Sequence, residues 1–290
     1  MAKNFVIFYN GREGSSAIIS ALSGQAEIRV PLFEELDPYI YKLNHRARDL
    51  PDTLDQIFET GSYRDLKETP RVLRAENMDG AYKSIGFKWR IHGDIPKVAE
   101  VLRRNNVTVF ALFRRSFLNV VCSSYVHAYG NKIQSDVVVS NHPQFEILSK
   151  SEAEVAQYFD SLNQQKFKMV RRWFLKTAKS QARFRHRQAM VLRMFAGAGV
   201  KQKVIFYEDF DARPAQFIAN MKEYLGLSNK IPVDPYCGIQ KVHKNPISER
   251  IQGIESVFSG ISGRIYQHYK RDYKDTIARI EKKGSGEPLP

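Results

Sequence analysis

Short apolar runs alternate with amphipathic stretches through the first half of the chain. "NFVIFY" (4–9), "SIGFKWRI" (84–91) and "VTVFALF" (107–113) have the length and composition of strands covered on both faces. Between them the apolar positions fall at helical spacing. A helix is expected over 16–23, ending near Gly24. A second is opened by Pro51 and stopped at Gly61, with Leu54, Ile57 and Phe58 on one face. A third covers 93–106 with Asp94 as its N-cap, and a fourth covers 116–129. Strands alternating with helices at these lengths predict an α/β fold, a central parallel sheet flanked by helices.

From Gly130 the pattern loosens, and 130–150 reads as an ordered loop or flap. Ser151 and Glu154 form a capping box, after which helical periodicity runs to about Phe195 and stops at Gly197 and Gly199. "QKVIFYEDF" (202–210) reads as a strand, Pro214 opens a helix that closes at "YLGL" (224–227), and a last helix is expected over about 248–271. The segment from about 280 to 290 is expected to be a flexible tail on a single domain spanning 1–290. No internal repeat is evident.

Composition narrows the function classes. The longest apolar runs fall far short of the roughly 20 residues of a transmembrane helix. No secretory apolar core precedes the polar "YNGRE", so a soluble, cytoplasmic protein is expected. Two cysteines, Cys122 and Cys237, do not suggest a disulfide framework and cannot build a four-cysteine metal site. The net charge of +14 is concentrated: between Asp160 and Glu208 there is no acidic residue, while Lys and Arg recur throughout 166–203. The 166–193 stretch is either a solvated helix face or a surface for an anionic polymer.

Two segments carry candidate chemistry. "YNGREGSSA" follows the first strand and leads into a helix, so backbone N–H groups and the positive end of the helix dipole converge there on an anion. Ser15 and Ser16 add hydroxyls and Arg12 a fixed charge. A triphosphatase loop needs a lysine after its second glycine; here that residue is Ser15. A plain strand-to-helix turn is the alternative. The second segment is "FRRSFLNVVCSS": Arg114 and Arg115 end a buried strand, and Ser123 and Ser124 lie on the second turn of the following helix. Both segments belong at the carboxyl edge of the sheet, where open α/β folds bind ligands.

Together these segments resemble the sulfotransferases that use 3'-phosphoadenosine 5'-phosphosulfate, in their bacterial and carbohydrate-type branch. Arg12, Gly14, Ser15 and Ser16 match a phosphosulfate loop R-x-G-[ST]-[ST], and Arg115 with Ser123 matches a 3'-phosphate motif R-x(7)-S. "GFK", "YEDF" with "YLGL", and "KNPISERI" resemble further family segments in the family's order, so the resemblance spans essentially the whole chain. It implies a P-loop-like sulfotransferase fold and a phosphosulfate donor, with no metal required. The 5'-phosphosulfate would lie on Arg12, Gly14, Ser15, Ser16 and Ala17 and the 3'-phosphate on Arg115 and Ser123, and Lys241 is a weaker nucleotide contact. It also implies transfer to a hydroxyl acceptor, a glycan or small molecule. Glu34 is favoured as general base over His92, with Glu35 adjacent, and Lys88 is placed to stabilise the bridging oxygen or orient the acceptor. Glu208 and Asp209 read as structural. Glu13 stands where the family has a small or hydroxyl residue, and its carboxylate would repel a phosphosulfate unless the side chain turns outward. A nucleotide kinase or hydrolase is the rival enzyme, and a nucleic-acid binder the less expected non-enzymatic reading.

Overall fold

The computed structural model describes residues 3–31, 50–61, 82–133, 164–228 and 247–283, with isolated positions between 153 and 160. Two compact units are evident in the chain. One comprises 1–113, 187–238 and 277–290, the other 114–186 and 239–276.

The first unit is built on a five-stranded parallel sheet, so the α/β expectation holds. Its strands are β1 (Asn4–Tyr9), β2 (Ile28–Arg29), β3 (Ser84–Arg90), β4 (Val107–Phe113) and β6 (Lys201–Phe206), in the order β2-β3-β1-β4-β6. The chain leaves β1 towards one side of the sheet and returns across it to β4, so the loop after β1 occupies the switch point at the carboxyl edge. The strands are apolar on both faces because both are covered. Val6 and Phe8 of β1 point into one cluster with Trp89, Val109 and Phe195. Phe5, Ile7 and Tyr9 point the other way and are also buried, and Phe110 meets Tyr224 edge-on at 5.8 Å. Gly86 is required by this packing: Phe5 is its partner across β1 and β3, and an added Cβ would lie 2.1 Å from the Phe5 ring.

Helices α1 (Ser15–Ser23), α2 (Leu50–Thr60) and α3 (Ile95–Arg104) form where the periodicity places them, and Asp94 caps α3 by accepting from the Lys97 N–H. Helix α4 (Phe117–Ile133) runs about one turn past the expected stop. Ser116 caps it through its Oγ, which accepts from the Asn119 N–H at 3.2 Å.

Three expectations are corrected. The helix expected to reach Phe195 without interruption is broken by β5 (Phe167–Lys168), and α5 covers only Arg171–Gly197. The Tyr125 hydroxyl accepts from the Val170 N–H and donates to the Lys168 carbonyl, and β5 pairs with β7 (Ile251–Gln252); these partners hold the backbone extended against its local preference. The strand expected over 202–210 ends at Phe206, and "YEDF" opens helix α6 (Tyr207–Ala212) before α7 (Pro214–Tyr224). The last helix does not start near 248. Two 3-10 turns (Ile247–Arg250 and Ile254–Phe258) flank β7, with Gly253 at φ 78° between them, and α8 runs Gly260–Lys283. Ile280 is buried in the first unit's core, so the ordered chain extends into the expected tail.

The second unit has its own aromatic core. Phe117 packs on Tyr273 at 4.7 Å and on Tyr266 at 6.0 Å, and Phe174 lies 5.6 Å from Tyr125. Cys122 is buried there, and burial pushes its thiol far above the ordinary range, consistent with an inert core residue. Among the described residues no helix is long and apolar enough to cross a membrane, and no group of three or more His, Cys, Asp or Glu could hold a metal ion.

Candidate active site

The loop after β1 turns through two left-handed residues, Arg12 at φ 72° and Gly14 at φ 87°. Gly14 is the N-cap residue of α1, and its carbonyl accepts from the Ala17 N–H at 3.1 Å. Its hydrogen has no room to become a methyl: a Cβ there would lie 2.0 Å from the Tyr207 ring. The tyrosine of "YEDF" therefore backs the loop, which ties together two segments that the sequence resemblance noted separately. Glu208 and Asp209 follow it in the first turn of α6, where carboxylates suit the helix dipole.

Glu13 does not turn outward. It is fully buried, and its Oε2 accepts from the Asn10 N–H at 2.7 Å, closing the turn from inside. The carboxylate is a structural part of the loop, stapling its first residue to its fourth.

Lys88 is the most informative residue of this unit. It stands on β3 opposite Ile7, is 3% exposed, and donates from Nζ to Ser16 Oγ at 2.7 Å. The loop lacks a lysine of its own, yet a buried ammonium reaches the first turn of α1 from the neighbouring strand. Ser15 is buried beside it, and Arg12, Ser16 and Ala17 are half-buried. Two residues along the same face of β3 is Arg90, which the sequence reading passed over. Its guanidinium stacks over Tyr9 at 5.4 Å on a ring that Lys88 also approaches at 5.6 Å. It also lies against Gly11, where an added Cβ would come within 3.1 Å of Nη2. The two-residue spacing of Lys88 and Arg90 on a strand was the available signal.

His92 follows β3, and its Nδ1 has two neighbours: the Trp89 indole nitrogen at 3.2 Å and the Arg90 carbonyl at 2.8 Å. One nitrogen of a neutral ring cannot serve both. With the proton on Nδ1 it donates to the carbonyl and Nε2 carries a lone pair. With the lone pair on Nδ1 it accepts from the indole, and Nε2 carries the proton. Only the first form makes Nε2 a base.

In the second unit, Arg114 and Arg115 precede the Ser116 cap of α4; Arg115 is exposed and Arg114 half-buried. The Tyr273 hydroxyl donates to the Arg114 carbonyl and accepts from Arg185 Nη2 at 3.1 Å. Arg185 is 1% exposed, and its guanidinium sits 4.8 Å from the centre of the Tyr273 ring; burial lowers its pKa. Ser124 is buried, and its Oγ accepts from Gln181 Nε2 at 2.8 Å, whereas Ser123 is the more exposed of the pair. Glu34, Glu35 and Lys241 lie outside the described residues, as do 134–150 and Ser151 of the capping box.

No family model and no curated protein matches this chain. Among solved structures it is similar to a sulfotransferase from Alicyclobacillus acidocaldarius, at 14% identity and a TM-score of 0.48, over 99% of this chain and 97% of that one.

Proposed function

We propose that the protein is a sulfotransferase that moves a sulfuryl group from 3'-phosphoadenosine 5'-phosphosulfate to a hydroxyl acceptor, a carbohydrate or small molecule. The observation that carries this reading is the buried Lys88 ammonium on Ser16 at the N-terminus of α1, behind a glycine loop without the hydrolase lysine. Such a loop offers backbone N–H groups, hydroxyls and a fixed cation to a terminal phosphosulfate. Arg12, Ser15, Ser16 and Ala17 bind the 5' end, and Arg115 with Ser123 the 3'-phosphate.

In the reaction the acceptor oxygen attacks sulfur in line, the bond from sulfur to the bridging oxygen breaks, and adenosine 3',5'-bisphosphate leaves. Lys88 stabilises the charge that builds on the leaving oxygen, and positioning with electrostatics supplies most of the acceleration. Glu34 takes the acceptor proton. His92 is the second reading for the base, favoured by the 2.8 Å approach of Nδ1 to the Arg90 carbonyl, which suits the tautomer that carries its lone pair on Nε2.

Thermal melting with adenosine 3',5'-bisphosphate, set against ATP with magnesium, tests the assignment. A ligand present at about 100 times its Kd adds about 2.7 kcal/mol, a shift of a few degrees. The bisphosphate is expected to raise Tm, and Arg115→Ala and Lys88→Ala to abolish the shift. No shift in the wild type, or one indifferent to Arg115→Ala, overturns the reading; a larger shift with magnesium ATP selects the kinase or hydrolase.

A further inference from the structure

The second unit carries a surface that the proposed chemistry does not use. Phe258, Ile261 and Ile265 are 43%, 70% and 39% exposed, three large apolar side chains within eight residues of chain. Ile261 and Ile265 are one turn apart on the first turns of α8, so they project from one face. Isolated exposed apolar residues are ordinary, but a cluster rimmed by charge marks a contact surface. The rim here is cationic. Arg171 at the start of α5 donates to Ser259 Oγ at 3.4 Å, which sets that end of α5 against the residue following Phe258. Arg172, Lys176, Lys179 and Arg183 are exposed along α5 at spacings of four, three and four residues, a single stripe, and Arg264 is exposed between the two isoleucines. The nearest acidic residues in sequence are Glu255 and Asp272, the latter engaged by His268 at 3.3 Å.

The chemistry of this surface selects its partner. A second copy of the chain in a two-fold contact would press these arginines and lysines against their own counterparts. A nucleic acid would take the cations but gains nothing from two exposed isoleucines, which neither stack on a base nor pair with a phosphate. An anionic phospholipid surface uses both halves: the aliphatic side chains enter the boundary of headgroups and acyl chains, and the cations meet the phosphates. We propose that Phe258, Ile261 and Ile265, rimmed by Arg171, Arg172 and Arg264, dock the protein peripherally on an anionic phospholipid membrane. The docking is independent of the catalytic reading, because none of these residues belongs to the donor site.

Flotation of the full chain with phosphatidylcholine vesicles, with and without phosphatidylglycerol, tests it at near-physiological salt. The protein is expected to float only with the phosphatidylglycerol vesicles. Each cation near such a surface contributes about a fivefold factor in affinity, so Arg172→Glu with Arg264→Glu is expected to weaken binding by at least about twentyfold. Ile261→Asp with Ile265→Asp is expected to abolish it, and Ile261→Trp, at an unchanged Tm, to strengthen it. Failure to float with anionic vesicles overturns the proposal. So does binding indifferent to the isoleucine changes, or tighter binding to duplex DNA that those changes leave intact.

Discussion

Single residues in the loop after β1 do work that their chemical type alone does not announce. Glu13 is the clearest case: a carboxylate in a loop assigned to an anion would be a defect if it faced the ligand, and instead it accepts the Asn10 N–H while fully buried. Glu13→Ala removes the acceptor of a buried donor and is expected to cost about 1–3 kcal/mol in denaturant unfolding. Glu13→Gln keeps an acceptor oxygen and should cost less than half of that; an equal loss in both would assign the role to charge. Gly14→Ala meets both a left-handed backbone and the Tyr207 ring, so it is expected to lower Tm and to eliminate bisphosphate binding. Trimming the ring with Tyr207→Ala relieves the steric part and should recover some of the stability lost in Gly14→Ala, a coupling readable in a double-mutant cycle.

Among the elements, α5 shows most plainly how one helix can carry two messages. Its outward side bears the cations that the sequence displays. Its inward side bears Gln181, Arg185 and Gln188 at spacings of four and three, all buried. In the second unit Gln181 holds Ser124 and Arg185 holds the tyrosine that anchors the Arg114 carbonyl. In the first unit Gln188 donates to the carbonyls of Phe8 and Leu112, near the ends of β1 and β4, at 3.3 and 3.4 Å. Polar side chains are retained in a core when groups there need partners, and Gln188 meets two backbone carbonyls of the sheet. Gln188→Leu is close in volume but leaves two carbonyls without this donor. It is expected to cost about 1–3 kcal/mol of stability and to weaken bisphosphate binding in calorimetry more than Gln216→Leu on an exposed helix face does. The sequence made the basic half of this helix obvious and hid the polar half, because a buried Gln among Lys and Arg looks like one more solvated position.

At the scale of the whole molecule, Glu27 gathers groups from distant parts of the chain. It receives Lys83 Nζ at 2.6 Å and the Ser228 N–H at 3.2 Å, and lies 3.8 Å from the ammonium of Lys222, itself 1% exposed. The Lys83 hydrogen bond is the main cause holding its carboxyl below the ordinary 4.5. A folded-state pKa below the unfolded one means stability that is complete above pH 4.5 and lost as pH falls through the depressed value. Glu27→Gln is therefore expected to flatten the acid limb of the stability profile. At neutral pH it should cost about 3 kcal/mol, mostly by leaving Lys222 buried beside a neutral group. A variant whose acid limb matches the wild type would show that other carboxylates control it.

What the sequence determined by itself is the part of the protein set by local pattern. Continuous apolar runs form the buried parallel strands, and the glycine turn opens α1. Tertiary structure decided what depends on partners distant in the chain. A tyrosine hydroxyl converted an expected helical stretch into β5, a ring 193 residues along fixed the need for Gly14, and the turn of Glu13 inward followed from the Asn10 N–H it had to satisfy. Periodicity records which side of an element faces the core; it carries no record of which distant group will meet a given hydrogen-bonding atom there, and that pairing exists only once the chain is folded.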